Sequence, residues 1–155
     1  MGRYSFRVIE TASAPRWQVW ALLSNGAGWK EWAGVLRSSL EREGQPPPDG
    51  VGAIRRLGIP PLGSREEVVE WDPPSHLGYV ILSGMPVRNY RADIFLEDRV
   101  AGDGISKMTV IDWSATFDAK VRGTGPLVKA VLRTVIARFA KRAARHAIGT
   151  SGSVG

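Results

Sequence analysis

The chain has 155 residues, no cysteine, two histidines and a formal net charge of +6. That length suits one domain with a core of its own, and the lack of cysteine excludes disulfides, thiol nucleophiles and thiolate metal sites together. His76 and His146 stand far apart with no carboxylates spaced to join them, so neither a metal site nor a cofactor is expected.

The opening residues Met1–Phe6 have no apolar signal core, and no apolar run approaches a membrane span. A soluble, cytoplasmic protein is expected. Phe6–Glu10 reads as a first strand. Pro15–Leu23 follows as a short helix with Val19, Trp20, Leu22 and Leu23 apolar, capped near Ser13 and ended by Ser24-Asn25-Gly26. A second short helix carries Trp29 and Trp32 three apart on one side. Leu36–Glu43 forms a strand, and Gly44–Gly50, with three consecutive prolines, is a loop. Val51–Leu57 and Ser64–Trp71 pair as a hairpin across Gly58–Gly63. After the hard turn Asp72-Pro73-Pro74-Ser75, Leu77–Ser83 is a dense apolar strand. Val87–Arg99 and Ser106–Asp118 are two long strands joined at Ala101-Gly102-Asp103-Gly104.

From Thr124 to Ile148 the pattern changes to one long amphipathic helix, with Pro126 in its first turn and Gly149 at its end. Leu127, Val128, Val131, Leu132, Val135, Ile136, Phe139 and Ala143 recur at three- and four-residue steps and form the stripe expected to be covered. Arg138 and Arg142 flank it. From Ala119 onward there is no Asp or Glu but there are eight Lys and Arg, so the rest of the chain, with 13 basic and 15 acidic residues, is near −2. The basic character belongs to one helix.

The order is therefore strand, two short helices, six strands, long helix. Consecutive hairpins imply an antiparallel sheet, and a single long apolar stripe implies that the sheet curves around the helix. The fold class is α+β: a seven-stranded curved antiparallel sheet wrapped around a C-terminal helix. One domain is expected over 1–149, with a disordered tail at 150–155.

Ala14-Pro15 with Val19-Trp20, Leu23-Ser24, Trp29 and Trp32, Gly50-Val51-Gly52, Glu66-Glu67-Val68 leading to Asp72-Pro73-Pro74, Tyr79, Tyr90, Trp113 and Phe117 carry a resemblance. In their order and spacing they resemble the START-related helix-grip (SRPBCC) superfamily, and within it the bacterial polyketide cyclase/dehydrase-like members. The resemblance covers about Phe6–Ile148. It implies a deep apolar cavity between sheet and helix, closed at one end by the short helices, and does not imply one reaction.

Strand parity turns Ile111, Trp113, Ala115 and Phe117 of the last strand, and Tyr90, Ala92, Ile94 and Leu96 of the one before it, toward the helix. With Val128, Val135 and Phe139 facing them, Trp113, Phe117 and Phe139 are expected as cavity wall. Trp29, Trp32 and Tyr79, which carry part of the resemblance, join the ligand-binding set. Polar groups on that face are more informative, because burying one without a partner costs free energy. Tyr90 offers a hydroxyl to a ligand carbonyl. Parity sends one of Arg55/Arg56 and one of Glu66/Glu67 inward; Arg55 and Glu66 are preferred, and a one-residue slip exchanges both. Arg88, two before Tyr90, is placed on the same face near the strand's end, within reach of a ligand carboxylate or thioester tail. His146 falls in line with Val128 and Phe139.

Two functions suit this set. In one, the cavity binds a small hydrophobic molecule of polyketide, fatty acyl, sterol or aromatic type. In the other it is a polyketide aromatase/cyclase or dehydratase, in which Tyr90 with Arg55 or Arg88 stabilises enolate charge and Glu66 moves protons. No nucleophile has a base beside it, so covalent catalysis is disfavoured. A third role is attraction of the basic helix face to an acidic membrane, an acyl carrier or another acidic partner. No reading motif for specific nucleic-acid recognition is present. A monomer and a homodimer fit equally well.

Overall fold

The computed structural model describes residues 3–58 and 63–151, with side chains as far as Ala147. The strands are β1 Arg3–Ala12, β2 Ser38–Arg42, β3 Ile54–Leu57, β4 Ser64–Asp72, β5 His76–Ser83, β6 Val87–Val100 and β7 Lys107–Ala119. They form one antiparallel sheet in the order β1-β7-β6-β5-β4-β3-β2. Between β1 and β2 lie α1, Arg16–Ser24, and a 3-10 helix, Gly26–Glu31; α2, Gly125–Ser151, closes the chain. The helix-grip architecture expected above is the one observed.

Local chemistry accounts for the short elements. Helix α1 begins without a side-chain cap, so Ser13 does not serve as one. Pro15, fixed in extended geometry, instead presents its carbonyl to Gln18 N at 3.1 Å and Val19 N at 3.4 Å. The 3-10 turn is capped by the Asn25 side chain, which accepts from Gly28 N at 3.2 Å. Strand alternation then sorts the sheet. Phe6, Val8, Ile111, Trp113 and Phe117 are buried toward α2, while the outer face carries ion pairs such as Arg7–Asp112 at 2.6 Å. On the same outer face Glu41 binds both Arg56 and Arg65, and these hydrogen bonds lower its carboxyl to about 2.

The long helix departs from expectation in two ways. It continues past Gly149 to Ser151; the rest of the expected tail, 152–155, lies outside the described residues. Its covered line is also narrower. Leu132, Ile136, Ala140, Ala143, Ala144 and Ala147 are buried, whereas Leu127 and Val131 are 69% and 51% exposed. Both lines are apolar at i, i+4 spacing and lie one helical step apart, so periodicity alone does not choose between them. The alanines decide it, because they let α2 lie close against β1 and α1. At its start, Gly125 sits beneath the Tyr4 ring, where any Cβ would overlap the ring itself.

Candidate functional site: a cavity between sheet and helix

The alanine-rich half of α2 touches its neighbours closely, and the preceding turns carry larger side chains over a sheet that curves away. A cavity of about 340 Å³ opens there. Leu132, Val135, Ile136 and Phe139 of α2 form one wall. Leu57 of β3, Ile81 of β5 and Met85 of the β5–β6 turn form part of the other, and Ala33, Gly34 and Val35 border it beside the 3-10 helix. The volume falls in the range of small-molecule sites.

Its polar groups on the sheet side come from three adjacent strands. Glu66 on β4, Tyr79 on β5 and Tyr90 on β6 all line the space, and Ser64 donates to Glu66 Oε2 at 3.2 Å. Arg55 stands directly opposite Glu66 in the β3–β4 register. Their side chains meet at 3.4 Å, with Arg55 1% and Glu66 6% exposed. Arg56 and Glu67 face outward, where they pair with Glu41 and Arg42. Arg55 lies behind the lining. It donates from Nη1 to the Leu23 carbonyl at 3.1 Å, and its guanidinium covers the Trp29 and Tyr79 rings at 5.0 and 5.2 Å.

This network is incompletely satisfied. Among the described residues Glu66 Oε1, Arg55 Nε and Arg55 Nη2 are buried without a hydrogen-bond partner, the 3.4 Å contact being ionic only. Burial raises the Glu66 carboxyl above its ordinary value, with the Arg55 charge opposing that rise. Burial also raises both tyrosines, and the charge of Glu66 adds to the effect. Neither tyrosine can serve as a base near neutrality. Each can donate a hydrogen bond, and Tyr79 Oη already accepts one from Trp113 Nε1 at 3.1 Å.

Of the residues expected to contact a ligand, Tyr79, Tyr90, Val135, Phe139 and Glu66 line the cavity. Trp29, Trp32, Trp113, Phe117 and Val128 do not. The three tryptophans and Phe139 form one cluster, with Trp29 centred 4.7 Å from Trp32, 5.9 Å from Trp113 and 5.3 Å from Phe139. Phe117 stacks on Tyr4 at 5.6 Å. Parity reports which way a side chain points and not how far the opposite wall stands; over β1 and β7 that wall is the helix, so these side chains are core.

Arg88 is also misplaced by parity. The β6–β7 register slips between Arg88 and Arg91, and Asn89 adopts φ +53. This bulge takes Arg88 off the face of Tyr90. It borders a separate surface depression with Tyr4, Asp118 and Arg122. His146 is exposed and does not line the cavity. Leu132 and Ile136 belong to the apolar stripe, but periodicity does not single them out as contacts. Arg138 and Arg142, which flank that stripe, border the opening.

Among the described residues no group of His, Asp and Glu is arranged to hold a metal, and no helix is long and apolar enough to cross a membrane. Solved structures share the architecture. XoxI from Bacillus cereus matches with TM-score 0.74 at 17% identity, over 97% of this chain and 99% of that one. A START superfamily protein from Mycobacterium smegmatis matches with TM-score 0.77 at 11% identity, over 96% and 99%. A Thermobifida fusca protein matches with TM-score 0.69 at 23% identity, over 91% and 93%. At these identities the likeness is one of fold. No curated protein matches the chain in sequence. The family model described as polyketide cyclase / dehydrase and lipid transport matches residues 4–149, nearly the whole chain, and the chain belongs to that SRPBCC-type family.

Proposed function

We propose that the chain binds one small hydrophobic molecule, of fatty acyl, polyketide, sterol or aromatic type, between β3–β6 and α2. The observation that carries this reading is the cavity itself: an apolar wall from Leu132 to Phe139 facing a short polar floor at Glu66, Tyr79 and Tyr90. Apolar burial supplies affinity, and the floor orients a carbonyl or hydroxyl. The test is titration with N-phenyl-1-naphthylamine, a neutral dye that fluoresces in apolar surroundings. Saturable binding at one site per chain is expected; absence of saturable binding would reject the reading.

A second reading, polyketide cyclase or dehydratase, is favoured by one observation. Glu66 is buried, borders the cavity, has an Oε1 that accepts no hydrogen bond and is held toward its protonated form by burial. Such a carboxyl can give a proton to a substrate oxygen while Tyr90 donates a hydrogen bond to the same developing charge. Arg55, behind the lining, acts through Glu66 as a positioning residue. An acidic acyl carrier would meet the exposed bases of α2, such as Lys129 and Arg133. With a substrate in hand, Tyr90→Phe should keep the fold and lower turnover by ~10²-fold, the scale of one lost oxyanion donor. Unchanged turnover would remove Tyr90 from the chemistry.

A further inference from the structure

Among the described residues nine arginines, from Arg3 to Arg99, pair with carboxylates. Arg138 and Arg142 do not: among the described residues neither is in an ion pair, and α2 itself contains no acid. They stand four residues apart on successive turns, so two like charges face the same opening and repel each other. Both are exposed and both border the cavity. Among the described residues the one carboxylate on the cavity lining is Glu66, buried at the floor and already matched with Arg55.

Arg142 also lies against the backbone at Gly34. Gly34 adopts φ +81, and a Cβ there would stand 3.1 Å from Arg142 Cζ and 3.2 Å from its Nε. The guanidinium therefore packs on bare backbone at the rim, a position from which a larger residue at 34 would displace it. Two donor forks lie above an apolar wall made by Leu132, Val135, Ile136 and Phe139. A guanidinium pair of this kind matches a carboxylate, sulfonate or phosphate oxygen set.

We infer that the cavity takes an amphipathic acid, an apolar body carrying one anionic group that Arg138 and Arg142 hold at the rim. This rests on the cavity reading above and adds the charge of the ligand and its orientation. The apolar body goes inward toward Tyr79 and Tyr90, and the acid stays at the opening, where its hydration is only partly lost. That division suits the physics, because an anion carried to the buried floor would lose its water beside Glu66.

The test uses two dyes of nearly one shape. 8-Anilino-1-naphthalenesulfonate carries a sulfonate; N-phenyl-1-naphthylamine lacks it. Wild-type protein should bind the sulfonate more tightly, and adding salt should narrow the gap. In the double variant Arg138→Gln/Arg142→Gln, affinity for the sulfonate should fall about ten-fold or more, the scale of one charge-assisted hydrogen bond, and the neutral dye should lose far less. The ratio of the two affinities is the readout. A ratio unchanged from wild type would overturn the inference while leaving the cavity reading in place. Failure of the neutral dye to bind wild-type protein would reject the cavity reading itself. Decanoate should displace the neutral dye better than decanol does in wild type, and about equally in the double variant. Inorganic phosphate should displace neither dye; displacement of the sulfonate by phosphate alone would mean a bare-anion site and would also overturn the inference. Because both substitutions are on the exposed side and remove a like-charge contact, thermal melting should show a folded variant.

Discussion

Arg55→Ala is expected to lower the stability of the fold by about 3–5 kcal/mol, the range for breaking a buried ion pair on one side. Several contacts end together. The guanidinium leaves Glu66 and the Leu23 carbonyl and uncovers the faces of Trp29 and Tyr79. The alkyl stem also supports the 3-10 turn: a Cβ on Gly26 would stand 2.7 Å from Arg55 Cδ, so the turn rests directly on it. Alanine leaves a void beneath that turn. Glu66 partly relieves its own burial by taking a proton, which keeps the loss from growing further. Urea unfolding at neutral pH measures the effect, and a loss below about 1 kcal/mol, the scale of an exposed ion pair, would show that the pair is not buried in solution.

Glu66→Gln adds a pH signature. Because the folded state holds the Glu66 proton to higher pH than the unfolded chain does, its contribution to stability is full below the ordinary carboxylate range and is lost as pH rises through the elevated folded value. The stability of wild type minus that of the Glu66→Gln variant should therefore decline with rising pH across that window. A flat difference would mean that the folded carboxyl titrates like a free one. Glu41, lowered to about 2 by its arginines, and Asp103, lowered to about 2 by its turn hydrogen bonds, slope the opposite way in both proteins and cancel in the difference.

Ile136→Trp is the second large effect. Ile136 is buried and lines the cavity at its helix wall. An indole there has the open volume to enter, so it should occupy the ligand's space and end saturable uptake of the neutral dye. Overpacking costs about 1–3 kcal/mol in a filled core, and the free space should hold the cost near the lower end. Val135 is a poorer position for this purpose: it is 36% exposed at the rim, and a tryptophan there can turn into solvent. A folded Ile136→Trp protein that still binds the dye would place the binding site elsewhere.

Much of the architecture was legible because its signals are local. Period-two alternation, glycine and proline turns and one period-3.6 helix point to seven strands in sequence order, and hairpin pairing across Gly58–Gly63 sets Arg55 against Glu66. Less legible was anything dependent on distance between layers. The lines Leu127–Val131–Val135 and Val128–Leu132–Ile136 look alike in a helical pattern, and only the close seat made by Ala140, Ala143, Ala144 and Ala147 decides which is covered. The bulge at Arg88–Arg91 left no composition signal strong enough to reverse parity. For the same reason Trp113 and Phe117 point inward as expected and yet do not line this cavity. Ile81 was within reach of parity, since it shares a face with Tyr79 on β5. Arg138 and Arg142 acquire meaning only once the opening is seen beside them.

The space between sheet and helix stands as the proposed binding site for a hydrophobic molecule. Native mass spectrometry of freshly purified protein, incubated with N-phenyl-1-naphthylamine and with decanoate, tests this most directly. Adducts of one molecule per chain are expected for both compounds, lost together in Ile136→Trp. Protein that carries neither compound at concentrations well above those needed by other cavities of this size, or adducts undiminished in the folded Ile136→Trp variant, would contradict it.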